Sequence, residues 1–360
     1  MEKSHERILV RHKITIEGFL MPADINGIHV GKDGWLFLAA GSNEALRLLT
    51  DPDWFVAEDA RQWAVKLGNR QARLQALGAS YRHIWIPDKI KVYRDKLDFD
   101  PGLLKVDPPA MVSDLARDTD LACVIVDPLP ALMNFKNDRL VYWKTDTHWT
   151  YWGACAAHKA LCHAIGATPP ADLGNRPIHF VNLALDLGSK LSPPAKEDWG
   201  GAQVLRDSKI VFKNEMVRLL DLLNPSHAAP MLRGTSVRFH NSRADCDRRR
   251  LIIFGDSFSE YRPHLLTGLL AETFKDVLFV WSTSIDYGIV EKFRPDIVIT
   301  EMAERFIKTL PEKNIPEDGF DLESLVMDRI VGFLNTKCSD GTNPFIWNRD
   351  VARLTENRYA

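Results

Sequence analysis

The 360-residue chain contains no apolar run approaching the roughly 20 residues that a membrane-crossing helix needs, so no membrane span is expected. It also lacks an excess of either charge: 46 basic and 48 acidic side chains leave a formal net charge of −2. Polyanion binding draws on counterion release from clustered Lys and Arg. The one basic knot, Arg248-Arg249-Arg250, abuts an apolar run and reads as the solvated entrance of a strand, so no nucleic-acid partner is expected. Cysteine is sparse. The five residues Cys123, Cys155, Cys162, Cys246 and Cys338 are an odd number without framework spacing, which points to a reducing compartment. The first residues, Met1 to Arg7, carry charge with no apolar segment behind them, so no secretory signal and a cytoplasmic location are expected. No internal repeat or low-complexity stretch is present. What remains, 45% hydrophobic and 26% charged, is the composition of a globular protein with a full-sized core.

Short apolar strands alternate with helical patterns. Residues 28–30 and 35–38 predict two strands around the turn Gly31-Lys32-Asp33-Gly34. A helix is predicted over about 54–77, N-capped by Asp51 or Asp53 and stopped by Gly78. A strand over 83–86 follows, ended by Pro87. Next come a helix near 109–117, a strand at 122–126 and a helix over 151–165. After residue 250 the pattern gives a strand to Phe254, a helix near 263–272, a strand at 277–280, a helix near 288–293 and a strand at 296–300. This alternation predicts an α/β fold, a mainly parallel sheet flanked by helices. Residues 168–249, rich in Pro, Gly, Asn and Arg, read as an irregular insertion lying near the site. The division expected is an N-terminal extension (1–27), one catalytic domain (28–310), and a C-terminal helix over 322–334 with a polar tail (311–360).

The chemistry concentrates in two segments. Ile252-Ile253-Phe254-Gly255-Asp256-Ser257-Phe258 is an apolar strand that stops at Gly-Asp-Ser, and such a strand delivers one hydroxyl to the carboxyl edge of a sheet. A serine there is a nucleophile only if a base takes its proton. The backbone N–H of Ser257 or Phe258, helped by a helix start, is the expected oxyanion donor. Lys144-Thr145-Asp146-Thr147-His148-Trp149 supplies a base, His148, and a carboxylate to orient it, Asp146, just before a helix that Thr150 can cap. Each segment has a plainer reading: Asp-Ser after a strand caps helices, and Asp146 with His148 can be a cap and a half-buried histidine. Together in one α/β chain they favour catalysis. Trp149, Tyr261 and Arg262 are the expected substrate contacts. Cys155, His158 and Cys162 share a helix face, but zinc sites draw ligand pairs from two segments and no second cluster is evident, so no metal and no cofactor is expected.

Four stretches resemble the AlgX/AlgJ family of polysaccharide O-acetyltransferases: Gly31-Lys32-Asp33-Gly34-Trp35-Leu36-Phe37, Pro87-Asp88-Lys89 with Tyr93, Asp146-Thr147-His148-Trp149, and Gly255-Asp256-Ser257-Phe258. Asp296 to Glu301 with Glu304-Arg305 is similar to that family's strand followed by E-x-x-E-R. The resemblance implies an SGNH hydrolase-like domain with permuted motif order, Asp-x-His preceding Ser. It also implies Ser257 as nucleophile, His148 as base and Asp146 as orienter. The implied reaction is O-acetylation of an exopolysaccharide such as alginate, with an acetyl donor (protein or small molecule) and a polysaccharide acceptor as partners. Family behaviour implies a periplasmic location, against the cytoplasmic one read from the termini and cysteines. An acetylesterase, and a non-catalytic scaffold of an exopolysaccharide assembly, stay open as alternatives.

Overall fold

The strand Asp247–Gly255 buries Leu251, Ile252, Ile253 and Phe254 completely. Leu251 and Ile253 join one apolar core, Ile252 and Phe254 the other. Period-2 alternation puts successive side chains on opposite faces, so a continuous apolar run marks a strand covered on both sides. The computed structural model describes residues 15–16, 19–20, 27–41, 44–222, 233–308 and 320–339. Most of the expected extension before residue 28, and the polar tail, lie outside the described residues.

The described strands are β1 (Thr15–Ile16), β2 (Phe19–Leu20), β3 (Ile28–Val30), β4 (Leu36–Leu38), β5 (Ser80–Ile86), β6 (Ile125–Val126), β7 (Ile178–Leu183), β8 (Glu197–Ala202), β9 (Ser208–Lys213), β10 (Ser236–Asn241), β11 (Asp247–Gly255), β12 (Phe274–Trp281) and β13 (Ile297–Ala303). The helices are α1 (Ala45–Thr50), α2 (Ala57–Ala76), α3 (Lys89–Val92), α4 (Pro108–Ala116), α5 (Leu129–Phe135), α6 (Tyr151–Ile165), α7 (Glu215–Leu222), α8 (Leu266–Thr273), α9 (Tyr287–Phe293) and α10 (Leu322–Ser339). Seven strands form one sheet in the order β6-β5-β13-β11-β12-β10-β9. The first five run parallel, and β10 and β9 add antiparallel pairs. Residues of α5, α6 and α8 fill the core on one face; α2, α4, α9 and α10 contribute to the other. This is the predicted α/β architecture. Chain order reverses at β11, whose neighbours are β12 and β13, and ligands of open α/β sheets bind outside the carboxyl ends of strands at such a switch point. Among the described residues no helix is long and apolar enough to cross a membrane.

The structure departs from the sequence pattern in several places. Residues 168–249 are more regular than expected: they hold the hairpin β7–β8 and also β9, α7 and β10, two of which extend the central sheet. The edge strand β9 leaves Ile210, Val211 and Phe212 exposed, which removes the burial pattern that marks a strand. Glu272 docks this region: its Oε1 accepts the N–H groups of Arg206, Asp207 and Ser208 (3.0, 3.2 and 2.9 Å), while Arg176 donates to Oε2 at 2.7 Å. The strand expected at 122–126 is a 3-10 turn (Asp120–Cys123) followed by the two-residue β6, because the Thr119 hydroxyl accepts from Leu121 N and turns the chain. Helix α2 starts at Ala57, and the Asp59 carboxylate takes the Val56 N–H at 2.9 Å in place of a cap by Asp51 or Asp53.

Candidate active site

Gly255 ends β11 between its two parallel neighbours, and the next residues are fixed by one carboxylate. Asp256 Oδ1 accepts from Phe258 N (2.9 Å) and Oδ2 from Ala303 N (2.8 Å), while Asp256 N donates to Glu301 Oε2 (3.0 Å). A Cβ on Gly255 would sit 2.7 Å from Glu301 Oε2 and 2.9 Å from Ser259 Cβ, so glycine is required for this approach. Burial, reinforced by the neighbouring Asp256, pushes the Glu301 carboxyl well above its ordinary range. Two expectations are corrected here. The Phe258 N–H is consumed by Asp256, and the next helix, α8, begins only at Leu266, so no helix starts directly after Ser257. The Ser257 N–H has no hydrogen-bond partner among the described residues.

The Asp-x-His segment is the tip of a narrow loop. Tyr142 pairs with Trp149 across it, and Trp143 N donates to His148 O at 3.3 Å. Thr150 caps α6 by accepting Gly153 N. Gly153 lets the first turn of α6 lie against the loop, since a Cβ there would meet Val141 O at 2.2 Å. Asp146 Oδ1 accepts from both His148 N (2.8 Å) and Nδ1 (2.7 Å). With Nδ1 donating to the carboxylate, Nε2 is left as the acceptor, and it lies 2.8 Å from Ser257 Oγ. The structure thus brings Asp146, His148 and Ser257 into one hydrogen-bonded line. Burial raises the Asp146 carboxyl, but its bonds to His148 outweigh this and bring it down to about 2. Phe258, fully buried, joins the two segments: its ring lies 4.9 Å from that of His148 and 5.0 Å, edge-on, from that of Trp149.

Lys89 anchors the loop from beneath. Its Nζ donates to the carbonyls of Trp143 (2.9 Å), Lys144 (2.8 Å) and Asp146 (2.6 Å). Burial pulls this ammonium down to about 7, opposed by Asp186, Asp146 and Glu197. Glu197 of β8 accepts from Lys144 N (3.1 Å), Thr145 N (2.8 Å) and Thr145 Oγ1 (2.8 Å). Asp186 accepts from Thr147 N (2.9 Å) and Oγ1 (2.6 Å). Leu36 N donates to Lys144 O at 2.9 Å, the Tyr93 hydroxyl accepts from Val141 N at 3.0 Å, and Trp35 stacks on Tyr93 with centroids 4.0 Å apart. Glu197 and Asp186 carry no local sequence signal, and sequence reasoning missed both. Beside the serine turn, Arg305 pairs with Asp88 (2.7 Å) and Lys91 with Glu304 (2.9 Å), all buried.

Of the expected substrate contacts, Arg262 lies within electrostatic reach of Asp146, and the others are placed differently. Trp149 is 1% exposed and packs beneath Phe258, so it is a structural platform that substrate does not reach. Tyr261 is half-buried with its ring 6.5 Å from that of Phe279, and Arg262, 55% exposed, pairs with Glu260. Asp146, His148 and Asp186 offer ligand atoms within 4.8 Å of one another, close enough to hold a cation. Asp186 already accepts from Thr147, and both ring nitrogens of His148 have partners in Asp146 and Ser257, which makes the group a poor fit to a resident metal. Cys155, His158 and Cys162 are buried on α6, where His158 Nε2 lies 2.9 Å from Thr273 Oγ1 and burial pushes both thiols up to about 12.

A family model described as the SGNH hydrolase-like domain of acetyltransferase AlgX matches residues 28–241. Among solved structures the chain is similar to PatB1 of Bacillus cereus (14% identity, 78% of this chain and 96% of that one, TM-score 0.51). It is also similar to a DHHW family protein of Eubacterium siraeum (13%, 83% and 91%, 0.50) and to the O-acetyltransferase domain of Pseudomonas putida AlgJ (18%, 82% and 96%, 0.48). At these identities the likeness to PatB1 and to the DHHW family protein speaks for the fold alone. No curated protein matches.

Proposed function

The chain belongs to the family of the AlgX SGNH hydrolase-like acetyltransferase domain, and from that membership we propose that it transfers an acyl group, most simply acetyl, to a glycan hydroxyl through an acyl-Ser257 intermediate. The observation that carries the reading is the unbroken line from Asp146 Oδ1 through His148 to Ser257 Oγ, with contacts of 2.7 and 2.8 Å. Ser257 Oγ attacks the donor carbonyl as its proton passes to His148 Nε2. The carbonyl oxygen carries the charge, and the Ser257 N–H faces it. When the donor's C–O bond breaks, His148 returns the proton to the departing alkoxide. In the second half-reaction an acceptor hydroxyl gives its proton to His148 and attacks the acyl carbon; the bond to Ser257 Oγ breaks, and the proton returns to the serine. Asp146 holds the imidazole tautomer and stabilises its charged form, a contribution worth about 10⁴ in rate in well-studied triads.

Intact-protein mass spectrometry after exposure to a chromogenic acetyl ester tests the first half. One acetyl adduct on Ser257 is expected, with none in Ser257→Ala or His148→Ala. A folded wild-type protein that acquires no adduct, and resists a serine-directed fluorophosphonate, overturns the proposal. Adding oligosaccharide then tests the second half: acetylated sugar is the expected product, and free acetate alone makes the protein an esterase.

A further inference from the structure

We infer that the hairpin β7–β8 forms the acceptor wall of the site, with the Trp199 indole as the platform for a sugar ring of the acceptor. This rests on the acyl-transfer reading and assigns its second substrate. In the hairpin register Val181 pairs with Trp199 and Leu183 with Glu197, so all four side chains project from one face. That face meets the segment before His148 and the stretch after Ser257. Glu197 holds the segment leading to His148 through Lys144 N and Thr145 N. Trp199, the next residue on the same face, meets the ring of His264 edge-on at 5.1 Å, in the stretch that follows Ser257. One face of the hairpin therefore runs from the base segment to the nucleophile segment.

The face is not closed by packing. Val181, directly opposite Trp199, is 50% exposed, and Leu183 is 40% exposed, so the hairpin stands away from the domain along this edge. The indole lies along its own strand over Gly201, where a Cβ would come within 2.8 Å of Trp199 Cη2. A flat aromatic surface beside an apolar strip suits the C–H face of a pyranose, while the ring's hydroxyls remain free for water or for the acyl group. Val181 to Leu183 continues the strip by about 7 Å, which favours an extended chain of sugars over a compact ester. A two-stranded hairpin has little stability of its own, and this one belongs to no larger sheet; it leans instead on α6, which follows His148, with Ala202 of β8 buried in the core that α6 and α8 fill.

The test uses the full chain and separates the half-reactions. Acylation is read as the burst from a chromogenic acetyl ester without acceptor, and transfer as KM for an added neutral oligosaccharide. For Trp199→Ala, KM should rise about tenfold and by clearly more than the burst rate falls; Trp199→Phe should recover most of the loss. Val181→Asn, at an exposed position where folding is not at risk, should raise KM in the same sense. Unchanged KM in both Trp199→Ala and Val181→Asn overturns the assignment, as does a burst that falls as much as transfer. If the wild type gives no burst, the acyl-serine reading has failed on its own, and direct titration with the oligosaccharide decides the hairpin: weaker binding by Trp199→Ala supports it, equal binding overturns it.

Discussion

Replacing Lys89 by methionine removes three hydrogen bonds at once while keeping an unbranched stem of similar length. The carbonyls of Trp143 and Asp146 lose their donor, while that of Lys144 keeps the Leu36 N–H, and a buried acceptor left unpaired costs about 1–3 kcal/mol. The loss is partly offset, because the variant no longer buries an ammonium, whose desolvation costs several kcal/mol. These opposing terms leave a net destabilisation on the order of 2 kcal/mol, which lowers Tm by about 3 °C in a domain of this size. Catalysis should suffer more. The anchored loop carries Asp146 and His148, and a displacement near 1 Å costs about 10²-fold in rate. Fluorophosphonate labelling of Ser257 should therefore slow by about 10²-fold in a protein that still melts cooperatively. Labelling within about threefold of wild type, with Tm reduced as stated, would refute the claim that these carbonyls position the base.

The same variant carries a pH signature. Lys89 is held down to about 7 in the folded protein, against 10.5 ordinarily. Between these values the unfolded chain binds a proton that the folded protein has released, so this group makes folding more favourable as pH rises, by up to about 1.4 kcal/mol per pH unit. Lys89→Met lacks that slope. The stability of the wild type relative to the variant should widen from pH 7 to pH 9 in denaturant titrations, and a constant difference would contradict the burial of a titrating amine.

Three further substitutions probe the rest of the site. Gly255→Ala should cost about 1–3 kcal/mol by overpacking against Glu301 and Ser259, and should slow labelling, because the turn that presents Ser257 must shift; melting and labelling together check this. Arg305→Met leaves Asp88 buried without its partner, a loss of about 3–5 kcal/mol that Asp88→Asn in the same chain should partly restore, read from denaturation midpoints. Asp146→Asn should slow labelling about 10⁴-fold by releasing the imidazole tautomer. The Asp146 carboxylate sits at about 2, against 3.8 ordinarily, so the stability it confers is present above pH 3.8 and is lost as pH falls through 2. The wild-type advantage over Asp146→Asn should shrink across that window.

The residues legible in the sequence are those whose neighbours along the chain announce them. A fully apolar strand ending in Gly-Asp-Ser, and an Asp-x-His just before a cappable helix, each carry local evidence of where the backbone goes, and the two segments meet in space through Phe258. The four stretches that carry the family resemblance also converge physically: Leu36 N on Lys144 O, Lys89 on the same loop, Tyr93 on Val141. Glu197 and Asp186 were illegible for a different reason. They reach the loop across 52 and 39 positions from Thr145 and Thr147, out of the stretch 168–249 that reads as an irregular insertion. The strand β9 is illegible because an exposed edge carries no burial pattern, and the burial of Trp149 is illegible because an aromatic beside a histidine serves equally as floor or as contact.

What separates those two outcomes is sheet order, which no window of sequence contains. With β13 lying between β5 and β11, Glu301, Glu304 and Arg305 arrive beside the serine turn and the Asp88–Lys91 segment together. The E-x-x-E-R spacing then has a physical reading: Glu301 receives the Asp256 N–H under the serine turn, while one short turn later Glu304 and Arg305 pair with Lys91 and Asp88. The motif joins the floor of the serine turn to the segment bearing Lys89, so a single strand end helps set the distance between Ser257 and His148.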